Sequence, residues 1–263
     1  MISLRSDGKL IEFKTTKFSD GTTQCWQMKD AGKMCINLIT FVWENDVSEI
    51  FNLLQIIDLV RSENSDAHIH LSIPFMPFSR QDKAPCNKST FALHTFAALL
   101  NSKSLNLVTS FDVHSDAASK LINQFVNVKP DEFQYQAYNK FKADVIFYPD
   151  AGAAKRYSRG NHLYGAKIRN QTSGEITGYN IMNVNKLNIE GKRVLIVDDL
   201  ADGGATFIEA AKELTKLGVS DLGLCVSHGL FSKGYEALRS AGISEFYTTN
   251  SIMKNKEEYN VYE

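Results

Sequence analysis

The stretch Arg193 to Phe207 reads RVLIVDDLADGGATF. Val194 to Val197 are four consecutive aliphatic residues, the composition of a strand whose two faces are both covered, as in a parallel sheet packed between helices. The run ends in two acids, Asp198 and Asp199, followed by a short glycine-containing loop and a helix expected to open at Thr206. Where a parallel strand ends and a helix begins, unpaired backbone N–H groups face outward, and small residues let a phosphate approach the chain. Asp198 and Asp199 would flank that cradle. Their natural partners are the two hydroxyls of a ribose, or a Mg²⁺ ion held through water. A bare pair of acids is as readily a solvated strand end ahead of a helix.

Outward from this stretch, short apolar runs alternate with longer amphipathic ones. Cys35 to Val42, His68 to Pro74 and Leu105 to Phe111 read as strands, and Val47 to Arg61 and Thr90 to Leu100 as helices. Ile50, Leu53, Leu54, Ile57 and Val60 form one apolar stripe behind an N-cap candidate at Ser48. The rhythm restarts beyond Pro130. Val145 to Tyr148, Leu163 to Ala166, Val194 to Val197, Leu222 to Val226 and Phe246 to Thr249 read as strands. Ala151 to Arg159, Thr206 to Leu217 and Lys233 to Ser240 read as helices. The expectation is an α/β protein of two tandem domains, each a mainly parallel sheet flanked by helices. The boundary falls within Asn123 to Asp131, giving domains 1–129 and 130–263. Ile168 to Tyr179, IRNQTSGEITGY, lacks periodicity and reads as a long exposed loop of the kind that closes over a site.

Composition narrows the function. Twenty-nine basic and 30 acidic side chains leave a net charge of -1, so no global field draws nucleic acid or an anionic membrane. The charged N-terminal residues lack an apolar leader core, and no run approaches the ~18 apolar residues of a membrane span. Cys25, Cys35, Cys86 and Cys225 are scattered without a CxxC pair, which reads as reduced thiols in a cytoplasmic protein.

VLIVDDLADGGAT resembles the phosphoribosyl diphosphate loop shared by phosphoribosyltransferases and ribose-phosphate pyrophosphokinases. Four more segments resemble the second family, in its order: Phe18 to Gly21 (FSDG), Ile73 to Lys83 (IPFMPFSRQDK), Ser110 to Asp116 (SFDVHSD) and Tyr148 to Gly152 (YPDAG). The resemblance spans nearly the whole chain and implies two phosphoribosyltransferase-type domains. It implies transfer of the β,γ-diphosphoryl group of ATP to the anomeric hydroxyl of a ribose phosphate, with Mg²⁺ and release of AMP. On that resemblance, Arg80, Gln81, Asp82 and His114 bind ATP, and His114 and Asp150 organise metal. Phe18 and Asp20 complete the ATP site of a neighbouring subunit in a homo-oligomer. Asp198, Asp199, Asp202, Gly203, Gly204, Ala205 and Thr206 hold the sugar phosphate. Lys167 and Arg169, in AKIR, are the transition-state cations at the root of the mobile loop. Taken singly, His114 reads as a structural histidine and Arg80 as a surface cation; the surrounding motifs supply the functional reading.

The sequence also departs from the family. The phosphate loop usually reads Asp-Thr-x-Gly-Thr, and here it is Asp202, Gly203, Gly204, Ala205, Thr206. Gly203 removes a hydroxyl donor worth about 1.5 to 3 kcal/mol to a charged acceptor. Ala205 adds a methyl group where the backbone meets the phosphate. The acceptor is therefore either ribose 5-phosphate or a 5-substituted ribose such as ADP-ribose. Thr22 replaces the usual Glu of the FSDG segment, the C-terminal helix is expected to be reduced or absent, and Lys83 to Ser89 (KAPCNKS) has few basic residues. Weak activation by inorganic phosphate and weak ADP control are expected. A phosphoribosyltransferase would have no use for RQD, DVHSD or FSDG. A non-catalytic regulatory homologue would not need to keep Lys167, Arg169, His114 and Asp150.

Overall fold

The computed structural model describes residues 1–29, 32–158, 162–169, 176–183, 187–252 and 260–262, and at 167–169, 176–177 and 260–262 it describes the backbone alone. The chain divides into two compact units, Met1–Lys129 and Pro130–Glu263.

The first unit opens with β1 (Ile2–Ser6) and β2 (Lys9–Ile11), then β3 (Phe13–Lys17) and β4 (Thr23–Gln27). It continues through β5 (Ile36–Phe41), α1 (Ser48–Glu63), β6 (His68–Ile73), α2 (Ala92–Asn101), β7 (Leu107–Phe111), α3 (Ala117–Leu121) and β8 (Phe125–Val128). Its main sheet has the order β2-β1-β5-β6-β7-β8. The strands β5 to β8 are parallel, while β1 and β2 join as antiparallel additions. Strands β5 and β6 bury every second residue, and α1 lays Ile50, Leu53, Ile56, Ile57 and Val60 into the same core. Each such side chain contributes about 1.5 to 3 kcal/mol by leaving water. Ser48 is the first helical residue rather than the cap; Val47 occupies that position, and Asp46 Oδ1 accepts from Ser48 N at 2.9 Å. The pair β3–β4 forms a separate two-stranded hairpin, pinned to α1 where Gln55 accepts from Cys25 N and donates to Thr23 O, both at 3.0 Å.

The second unit comprises α4 (Asp131–Phe141), β9 (Val145–Tyr148), α5 (Ala151–Tyr157), β10 (Leu163–Arg169), β11 (Ile176–Met182) and β12 (Arg193–Ala201). It ends with α6 (Ala205–Lys216), β13 (Asp221–Gly229), α7 (Glu236–Ser240), β14 (Ile243–Thr249) and β15 (Asn260–Tyr262). The sheet order is β11-β10-β9-β12-β13-β14-β15, parallel throughout except for β11. β12 lies at its centre, with Val194, Leu195, Ile196 and Val197 essentially inaccessible to water. β12 runs through both acids to Ala201 and α6 begins at Ala205, so Asp198 and Asp199 sit inside the strand rather than after it. The cause is β13, which continues the parallel ladder past them through Leu200↔His228 and Ala201↔Gly229.

The expected loop over Ile168 to Tyr179 is replaced at both ends by strand. Ile168 and Arg169 belong to β10, and Ile176 to Tyr179 to β11, an antiparallel hairpin with a bulge between Ile168 and Arg169. Thr, Ile and Tyr suit strands, and the Ser, Gly and Asn that suggested a loop crowd into 170–175, outside the described residues.

Candidate active site

The parallel strands of the second unit direct their C-terminal ends to one edge of the sheet. There lie Asp150 after β9, Asp198 and Asp199 within β12, the 202–204 link before α6, and the Leu230 to Gly234 link after β13. Such an edge is where open α/β sheets bind ligands. Gly204 caps α6 in the left-handed region, at φ +79°, and no side chain satisfies the helix's first amides. A Cβ there would meet the Leu238 side chain at 3.0 Å, so glycine lets the chain turn against α7. Phe207 N and Ile208 N both donate to Gly204 O at 3.0 Å, which leaves Ala205 N and Thr206 N as the first-turn amides that no side chain caps. At α5 a side chain does cap the first turn, because Asp150 Oδ1 accepts from Ala153 N at 3.0 Å.

The two acids of β12 differ. Asp199 is 6% exposed and forms an ion pair of 2.9 Å with Arg156 of α5. Burial works against the Arg156 charge, but Asp199 and then Tyr157 outweigh it, and the guanidinium is held charged with its pKa raised. Asp198 remains partly open to solvent. The protein around it still strips enough water that its pKa rises well above the usual carboxylate range, with Asp199 and Asp150 adding repulsion. Arg156 is thus paired with Asp199, while Asp198 and Asp150 add negative charge beside that pair. Arg156 was not singled out from the sequence; its spacing from YPDAG on a short helix was the only available signal.

Lys167 and Arg169 lie on β10. That strand pairs with β9 only at Leu163↔Phe147 and Tyr164↔Tyr148, then extends along β11, carrying the backbone of both cations past the end of β9. Tyr179 of β11 fastens this hairpin to the Asp150 loop, its hydroxyl donating to Pro149 O at 2.7 Å. Burial, then Asp150 and Asp198, raise its pKa, so it stays a neutral donor. The ring lies so close over Gly165 that a Cβ there would fall 1.8 Å from the Tyr179 hydroxyl. Gly165 is thus required by its neighbour, and both residues escaped sequence reading.

The 202–204 link is braced from β13. Ser232 Oγ donates to Asp202 Oδ1, and Leu230 N and Phe231 N both donate to Ala201 O at 2.9 and 3.0 Å. The structure brings Asp150, Asp198, Asp199, Asp202, Gly203, Gly204, Ala205 and Thr206 to one edge of the second unit.

The remaining candidates belong to the first unit. Phe18 and Asp20 sit in the β3–β4 turn, closed by Gly21 N→Phe18 O at 3.0 Å and Phe18 N→Thr22 O at 2.8 Å. Asp20 accepts from Thr22 Oγ1 at 2.7 Å and from Thr22 N at 3.0 Å, which lowers its pKa. Phe18 is 44% exposed. Arg80 and Gln81 are exposed and Asp82 half-buried after β6, with Gln81 N→Phe78 O at 2.9 Å shaping the turn. His114 follows β7 beside buried Asp112, whose φ is +42°; Asp112 N→Val128 O at 2.9 Å and Val113 N→Asn127 Oδ1 at 3.1 Å hold that segment. Among the described residues, no group of three or more His, Cys, Asp or Glu forms a metal cage, and no helix is long and apolar enough to cross a membrane.

Comparison with known proteins accords with this arrangement. Residues 160–257 match the model of the phosphoribosyl transferase domain. The ribose-phosphate pyrophosphokinase of Thermococcus kodakarensis is 26% identical over 95% of this chain and 89% of its own. That of Bacillus subtilis is 26% identical over 95% and 80%. The crystal structure of phosphoribosylpyrophosphate synthetase from Mycobacterium smegmatis superposes with a TM-score of 0.79 over 97% of this chain and 87% of that one, at 19% identity. With two phosphoribosyltransferase-type units, the chain is similar along nearly its whole length to the ribose-phosphate pyrophosphokinases.

Proposed function

We propose that the protein is an ATP-dependent diphosphotransferase acting at the anomeric hydroxyl of a ribose phosphate. The observation that carries this reading is the edge of the second unit, where an uncapped helix N-terminus, Asp202, and the Asp198–Asp199–Arg156 cluster adjoin. The first-turn amides of α6 receive the sugar's 5-phosphate, and the acids of β12 accept hydrogen bonds from its ring hydroxyls. Arg156 holds Asp199 in an ion pair, which leaves Asp198 the more adaptable acceptor. The sugar's anomeric oxygen then forms a bond to the β-phosphorus of ATP as the bond to the α-phosphate oxygen breaks, releasing AMP. Charge builds on phosphate oxygens during this displacement, so positioned cations supply most of the rate. Lys167 and Arg169 take that role from the β10–β11 hairpin, which Tyr179 secures to the Asp150 loop. Arg80, Gln81, Asp82 and His114 bind ATP, and Phe18 and Asp20 complete that site from a second copy of the chain in a homo-oligomer.

The carboxylates fit a hard divalent cation, since Asp198, Asp199 and Asp150 crowd negative charge against one guanidinium. Mg²⁺ is generally bound by one or two carboxylates plus substrate phosphates rather than by a dedicated protein cage. His114 and Asp150 would organise it with the ATP phosphates, where it would offset the charge of the transferred group.

The side-chain-free Gly203 favours a second reading of the acceptor. With no hydroxyl committed to a terminal monophosphate, the loop also suits ADP-ribose, whose diphosphate continues outward. Incubation with ATP, Mg²⁺ and each sugar separates the readings: AMP, rather than ADP, must appear together with a product heavier by a diphosphate. Turnover of ribose 5-phosphate alone removes the ADP-ribose reading. No AMP with either sugar favours a non-catalytic nucleotide-binding homologue.

A further inference from the structure

We propose that Lys233 is the cation that grips the 5-phosphate end of the acceptor sugar, in place of the hydroxyl absent at Gly203. This deepens the diphosphotransferase reading and rests on it. A Cβ at Gly203 would meet Lys233 Cδ and Cε at 3.5 Å and Cγ at 3.9 Å. The lysine stem therefore lies across the face of the phosphate loop that a side chain at 203 would cover. Its ammonium is one bond beyond Cε, on a residue exposed to solvent, as a phosphate-binding lysine requires.

The placement is built by the fold. Phe231, Ser232, Lys233 and Gly234 form a turn closed by Gly234 N→Phe231 O at 2.9 Å, with Gly234 at φ +73°. The turn is fastened to β12 by Leu230 N and Phe231 N on Ala201 O, and to the phosphate loop by Ser232 Oγ on Asp202. Phe231 is 7% exposed and packs edge-on against Phe246, with ring centroids 6.1 Å apart. Lys233 thus projects from a turn held at three points and lies beside Gly203, two residues ahead of a helix start with no side-chain cap. A point charge on a flexible stem tolerates phosphates at more than one distance, whereas a hydroxyl at 203 would serve one fixed oxygen. The ligand chemistry is a ribose carrying phosphate at its 5-position, supplied by ribose 5-phosphate or by ADP-ribose.

The test uses the full chain and measures equilibrium binding of each sugar by calorimetry beside steady-state AMP release. Lys233→Ala is expected to weaken sugar binding about tenfold, the lower end for a charge-assisted hydrogen bond. KM for the sugar should rise by a similar factor, while kcat and KM for ATP change little. Lys233→Arg should retain most of the affinity, and Gly203→Thr introduced into Lys233→Ala should recover part of what was lost. Weakening of both sugars assigns Lys233 to the phosphate next to the ribose; weakening of ADP-ribose alone assigns it to the second phosphate. Binding of both sugars within twofold of wild type in Lys233→Ala overturns the inference. If wild type binds sugar without releasing AMP and Lys233→Ala still weakens that binding, the inference stands while the diphosphotransferase reading falls. If wild type releases AMP and Lys233→Ala leaves KM unchanged, the reverse holds.

Discussion

The two units place strand-to-helix links at equivalent points of their sheets and build them in opposite ways. In the second unit three residues, Asp202 to Gly204, separate β12 from α6, and the link is all small or acidic. In the first unit the stretch from Pro74 to Phe91 separates β6 from α2, and it is held by rings. Phe41, Trp43, Phe78 and Phe96 form a chain with centroids 6.1, 6.2 and 5.6 Å apart. Phe78 adopts φ +62°, and Leu93 N donates to Gln81 O at 3.3 Å. In the proposed reaction the short link would present backbone amides to a compact anion, the sugar's 5-phosphate. The long link instead rests on packed aromatic rings, and in the proposed reaction it would serve ATP. If each unit holds one substrate, damage to each link should fall on one substrate only.

Lys167→Ala should break the reaction without breaking either link. Loss of a cation that meets the transferred group costs on the order of 10³ in kcat for phosphoryl transfer. Binding of ATP and of sugar should stay within a few-fold of wild type. Full turnover in this variant, measured as AMP release, would withdraw the catalytic assignment of the β10–β11 hairpin.

Arg156→Met tests the short link's electrostatics. Removing one partner of a buried ion pair leaves Asp199 uncompensated, a loss of about 3 to 5 kcal/mol. Urea denaturation should register it as a lower midpoint, and Arg156→Lys should recover part of it. An unchanged midpoint would mean that the pair contributes no net stability at this edge.

Arg80→Ala tests the long link. Loss of an exposed charge-assisted contact to a phosphate costs about 1.5 kcal/mol, or roughly tenfold in KM for ATP. KM for the sugar should not move. A parallel rise in both would show that the two links do not divide the substrates.

How much of this was legible in sequence varied with the physics. The central strands and helices could be read because burial on both faces produces long aliphatic runs, as in Val194 to Val197, and the phosphate loop because small residues beside paired acids are rare. The N-terminal antiparallel strands β1 to β4 were missed. Their residues alternate with charge, as in RSDGKLIEFKTTK, and half-exposed two-stranded pairing leaves only a weak period. The long acidic end of β12 was missed because pairing with β13, not local propensity, extends the strand. Arg156, Gly165, Tyr179 and Lys233 share one reason for having been missed. Each acts on a residue distant in the chain, and only the folded sheet puts them together.

The smallest effect concerns the acid that Arg156 does not reach. Burial and the neighbouring Asp199 raise the pKa of Asp198 well above the ordinary aspartate value of 3.8. Between that value and the higher folded one, the native state binds more protons than the unfolded chain. Stability is therefore fully present below the unfolded pKa and is lost as pH climbs through the folded one. Asp198→Asn removes this penalty. Its Tm should match wild type in acid and exceed it at neutral pH, even though the variant binds sugar poorly. Thermal melts from pH 3.8 to neutrality measure the gap. A gap that is constant across that range would mean Asp198 titrates normally, and that Arg156 neutralises the whole acid cluster rather than Asp199 alone.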